Sequence, residues 1–156
     1  MDAEKRILQE RENWRKDRPF GYMARPRTNA DSTLDLFHWD CSIPGPENSP
    51  FFGHELRLSL RFFNTYPIHP PEAKFTDKVY HPNVYEDGYI CLDVLAAGWK
   101  PSMNIKSTLL AICDLMENPN PASSANMEAS NMFVKDATEY EMAARAVLEA
   151  GKRKVQ

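Results

Sequence analysis

Cys91 lies just beyond a loop bearing Gly88, and the side-chain amide of Asn83 stands eight residues upstream of it. That layout suits covalent catalysis. A thiolate is nucleophilic enough to take up an acyl group, and the thioester it forms stays reactive toward amines. A positioned amide donor can then steady the oxyanion of the next step, an effect of roughly 3 kcal/mol. Asn83 has an equally natural second use, which is to tie the loop together through backbone hydrogen bonds. His81 in the same stretch opens a cysteine-protease reading, which needs its imidazole within hydrogen-bond reach of sulfur. Cys41 and Cys113 read as core cysteines. Three cysteines form an odd set without metal-ligand spacing, so neither a disulfide framework nor a zinc site is expected, and a reducing intracellular compartment is.

The elements that must position these residues follow from periodicity. Residues 2–16 predict a helix, with Asp2 at its start, Arg15 and Lys16 in its last turn, and Asp17 and Pro19 beyond. Its apolar face is thin: Ala3, Ile7 and Trp14, with Leu8 beside them. The period then falls to two, predicting strands over 22–27, 35–43, 55–62 and 72–75; Leu56, Leu58, Leu60 and Phe62 alternate most cleanly. Short turn-rich connections favour an antiparallel meander. Residues 76–103 carry no convincing amphipathic helix, and a loop of that length inside a compact domain is usually functional. A central helix follows from Asn104, with a stripe of Ile105, Leu109, Ile112, Leu115 and Met116, and ends at Asn118-Pro119. Two further helices are expected near 126–134 and 136–150, the second closed by Gly151 before a basic tail. This order makes an α+β class with helices segregated from the sheet.

A length of 156 residues suits one domain spanning the chain. With 42% hydrophobic and 26% charged residues the composition is that of a globular protein. A net charge of −3 argues against general nucleic-acid binding, which needs a dense positive surface. No apolar run approaches a membrane span, and the charged N-terminus lacks the core of a signal peptide. A cytosolic or nuclear location is the expectation.

Five motifs stand in order along the chain: Tyr66-Pro67 with Pro70-Pro71 and Phe75, His81-Pro82-Asn83, Gly88-x-Ile90-Cys91-Leu92, Trp99-x-Pro101, and Asn118-Pro119-Asn120-Pro121. Together they resemble the ubiquitin-conjugating enzyme family. The resemblance covers nearly the whole chain and implies the family's α+β fold. It also implies a Cys91 thioester with ubiquitin or a relative and transfer to a substrate lysine. His81 becomes a structural histidine on this reading. Activating enzyme, ligase and protein substrates become the implied partners; no metal or organic cofactor is implied, since ATP is consumed upstream by the activating enzyme.

Beside Cys91 and Asn83, the family pattern points to Ser123, which stands where many members carry an acid next to the incoming lysine. Tyr85 and Ser124 are further candidates for lysine positioning. Ile68, Pro101 and Ser102 fall on the two loops with which relatives contact ligases, although Ile68 could equally pack inward. Arg6, Arg11, Arg15 and Lys16 on the first helix are candidate contacts for the activating enzyme or modifier. The two halves differ in affinity. Segments such as Trp14-Arg15-Lys16-Asp17, Pro19-Phe20-Gly21 and Trp39-x-Cys41-x-Ile43-Pro44-Gly45 resemble the SUMO-conjugating branch. Cys91-Leu92-Asp93-Val94-Leu95 and Asn118-Pro119-Asn120-Pro121 resemble ubiquitin-specific members, and only Ala96-Ala97-Gly98 stands where the SUMO branch has a short acidic insertion. Glu12 interrupts the basic helix, and the pI near 5.8 gives no general positive field. Ubiquitin is therefore the expected modifier, SUMO the alternative; a non-catalytic scaffold would lack Cys91.

Overall fold

In the computed structural model, which describes residues 2–155, four helices surround one face and one end of a four-stranded sheet. Helix α1 (Ala3–Lys16) begins where the Asp2 carboxylate accepts the Lys5 N–H. Its inward stripe is Ala3, Ile7, Glu10 and Trp14. Glu10 thus fills the one gap in the apolar stripe legible in the sequence, while Leu8 is exposed.

Strands β1 (Met23–Thr28), β2 (Leu34–Pro44), β3 (Glu55–Arg61) and β4 (Glu72–Phe75) form an antiparallel meander in the order β1-β2-β3-β4. The register puts Trp39 opposite Leu60, Cys41 opposite Leu58 and Ile43 opposite Leu56, all buried. Helices α1 and α2 (Ile105–Glu117) cover that face at β2. Asn104 and Ser107 cap α2 reciprocally, each side chain accepting from the other's backbone N–H. The stripe Ile105, Leu109, Ile112, Leu115 and Met116 is buried as its spacing predicts.

Helices α3 (Met127–Lys135) and α4 (Ala137–Val155) pack on each other. One boundary needs correction: Gly151 does not close α4, which runs on to Val155. A Cβ at Gly151 would lie 3.1 Å from the Lys78 side chain, so this glycine serves close packing rather than termination. The turn after it carries Lys152 to Asp77, whose carboxylate also holds Arg57. Part of the basic tail is therefore a clasp between α4 and β3.

Candidate active site

The segment between β4 and α2 is irregular in sequence but ordered by pairing. Phe75 N–H donates to Gly88 O and Ile90 N–H to Ala73 O, so residues 88–90 run as a short strand along β4. Tyr85 N–H donates to Tyr89 O and Cys91 N–H to Asn83 O, adding residues 83–85 beyond them. The turn between depends on Gly88: its φ is +100°, and a Cβ there would stand 2.5 Å from Phe75 O. Val84 and Ile90 pair and point into the core. Alternation then puts Asn83, Tyr85, Tyr89 and Cys91 on the opposite face. Cys91 is half-buried at the base of this hairpin, and Tyr85 is exposed at its rim.

Asn83 is fully buried, with both amide hydrogens and the amide oxygen engaged. Its Nδ2 donates to Asn120 O at 2.8 Å and to Ser123 O at 2.7 Å, while its Oδ1 accepts Asn120 N–H at 2.8 Å. Of the two compatible roles legible in the sequence, this geometry displays the loop-tying one, with both amide hydrogens on backbone carbonyls. Its bonds hold the short 3₁₀ turn Pro121–Ser123 over the cysteine, where Ser123 Oγ lies 3.5 Å from Cys91 Sγ. Ser124 Oγ is engaged with α3 instead, accepting from the Ser130 hydroxyl at 2.7 Å.

His81 is structural. Its Nδ1 accepts Asn83 N–H at 2.9 Å, which fixes the proton on Nε2, facing Leu115 O at 2.8 Å. Burial holds the imidazole neutral, with its pKa lowered to about 4. Both nitrogens are occupied away from sulfur, and the protease reading falls. Burial likewise pushes the thiols of Cys41 and Cys113 upward, leaving both as poor nucleophiles. All three cysteines are free thiols. Among the described residues, no group of His, Cys, Asp and Glu could hold a metal ion, and no helix is long and apolar enough to cross a membrane.

The remaining candidates divide. Ile68 is 67% exposed, so it does not pack inward, and Pro101 and Ser102 are exposed as well. Trp99 Nε1 donates to Pro67 O at 2.8 Å and fastens these two loops side by side. Arg11 is half-buried, and Arg15 and Lys16 are exposed. Arg6 is half-buried and is also bound within the fold. Its Nε bonds the Glu10 carboxylate at 2.8 Å, its Nη2 donates to Met103 O at 2.8 Å, and its guanidinium lies over the Tyr66 ring. Glu10 itself also accepts from Tyr66 OH and from Ile105 N–H. Sequence reasoning missed this joint, and also Asn120; an acid on an apolar helical stripe was the available signal for the first.

The family model described as ubiquitin-conjugating enzyme matches residues 6–148. Over 143 residues, 90% of each chain, the sequence is 43% identical to the SUMO-conjugating enzyme of Dictyostelium discoideum. It is 43% identical over 138 residues to that of Caenorhabditis elegans, covering 87% of this chain and 83% of the relative. With the SUMO-conjugating enzyme of Arabidopsis thaliana it shares 39% identity over 140 residues, 88% of each. These names run against the expectation of ubiquitin and favour its alternative.

Proposed function

We propose, from the premise that this chain belongs to the ubiquitin-conjugating enzyme family, that it carries a SUMO-type modifier as a Cys91 thioester and delivers it to substrate lysines. The observation that carries the choice of modifier is the 39–43% identity, over nearly the whole chain, to three enzymes named for SUMO conjugation. The motifs that favour ubiquitin, residues 92–95, the short 96–98 segment and residues 118–121, flank a cysteine whose chemistry is the same for either modifier. Arg15 and Lys16, exposed on α1, lie away from that chemistry and are free to meet an acidic partner.

Loading exchanges one thioester for another. The Cys91 thiolate attacks the acyl carbon presented by the activating enzyme, a C–S bond forms as another breaks, and no general-base histidine is required. In the second step a neutral lysine amine attacks the same carbon, the C–N bond forms as the C–S bond breaks, the nitrogen sheds a proton and Cys91 leaves as thiolate. Ser123 is the polar side chain in contact with the sulfur, and Asn83 acts by holding the Ser123 turn in place. Tyr85 borders the approach on the same face. The exposed group of Ile68, Pro101 and Ser102 is suited to a small apolar docking contact with a ligase.

Charging with separate SUMO- and ubiquitin-activating systems tests the proposal. The expected result is a reducible adduct with SUMO, formed faster than with ubiquitin. Cys91→Ala should abolish it, and Cys91→Ser should give an oxyester that resists thiol reductants. Efficient charging by ubiquitin with none by SUMO would overturn the choice of modifier, and normal charging of Cys91→Ala would overturn the site.

A further inference from the structure

Beside the catalytic hairpin a lysine of the protein itself already faces the reacting side. Lys74 pairs with Tyr89 across β4 and the 88–90 strand. The flanking bonds, Phe75 N–H to Gly88 O and Ile90 N–H to Ala73 O, make this the non-hydrogen-bonded type of pair, in which side chains stand closest. Lys74 Nζ lies 5.0 Å from the centre of the Tyr89 ring, so the two side chains share a face. Tyr89 and Cys91 share that face too, being two residues apart with the buried Ile90 between them. Lys74 and Cys91 are therefore diagonal cross-strand neighbours, a separation of roughly 7–8 Å that a long side chain can bridge. The four-carbon stem of lysine is flexible, and only a weak ring contact holds its end.

We propose that Lys74 is a self-modification site, an acceptor in cis for the acyl group carried on Cys91. This inference rests on the thioester reading above. The Lys74 ammonium gives a proton to solvent, and its neutral Nζ attacks the thioester carbonyl carbon. The C–N bond forms as the C–S bond breaks. The nitrogen sheds a second proton, and the leaving thiolate takes one up as Cys91 regains its thiol. The product is an isopeptide that places the modifier over the face by which other lysines approach. Self-modification thereby competes with transfer to substrate and then obstructs it.

The test uses full-length protein charged with SUMO, separated from the activating enzyme and incubated without substrate over a range of protein concentrations. Thioester and reductant-resistant adduct are followed separately, and the adduct is located by peptide mass spectrometry. The expected result is an isopeptide on Lys74 whose first-order rate does not change with enzyme concentration. Lys74→Arg, which keeps a cation for the Tyr89 ring and removes the nucleophile, should lower adduct formation at least tenfold. Lys78→Arg and Lys100→Arg should leave it intact. Thioester that yields its isopeptide on another lysine, or at a rate rising with enzyme concentration, would overturn the inference while leaving the thioester reading standing. Failure to form any thioester would overturn both.

Discussion

Asn83 and His81 form one buried chain of hydrogen bonds, from Leu115 O through the imidazole and the Asn83 backbone to the turn above Cys91. Replacing Asn83 by Ala removes three bonds and strands the Asn120 N–H. A loss of about 2–3 kcal/mol in denaturant unfolding is expected, with faster hydrogen exchange at Asn120 and slower discharge of the charged enzyme. A variant of parental stability with slow discharge would instead return the amide to the oxyanion. His81 makes stability depend on pH. Its folded pKa of about 4 lies below the 6.5 of a free imidazole, so between these values the unfolded chain binds a proton that the fold refuses. The contribution is whole above pH 6.5 and is lost as pH falls toward 4, by an amount on the order of 3 kcal/mol. The urea midpoint should fall between pH 7 and 5, while the His81 ring resonances stay those of the neutral form. Both uses of Asn83 were legible in the sequence. The partners it ties were not, because they are carbonyls at Asn120 and Ser123, far along the chain.

At the scale of elements, the Glu10 carboxylate is the joint to watch. It is only 4% exposed and meets Arg6 of α1, Tyr66 of the proline-rich loop and the first N–H of α2. Removing one partner of a buried ion pair costs several kcal/mol because the other is left uncompensated. Glu10→Ala should therefore lower stability by about 3–5 kcal/mol, and Glu10→Gln, which keeps a carbonyl for Ile105 N–H, by less. Comparing the two denaturation midpoints checks this. The alternation of β3 and the stripe of α2 were plain in the sequence, since each follows one period over a single burying face. The α1 stripe was legible only as apolar spacing, so a charged residue inside it passed unread. Gly151 likewise matched a helix-ending pattern, whereas its reason lies in the neighbouring Lys78.

Taken whole, the molecule has an α+β fold whose order of elements could be read from the chain, as could the cysteine on which the proposed thioester rests. Its modifier could not, since that choice depends on surfaces recognised by another protein rather than on local periodicity. Across these surfaces the three indoles are unequally placed. Trp14 and Trp39 are buried, whereas Trp99 is half-exposed and anchored to Pro67, beside the outward Ile68. The protein thus carries an intrinsic optical reporter on the loops proposed above to meet a ligase. Docking there should shift the tryptophan emission to shorter wavelength as water leaves the Trp99 ring, and Trp99→Phe should abolish that shift. Titrations could then follow the encounter by fluorescence alone, with no dye attached near Cys91.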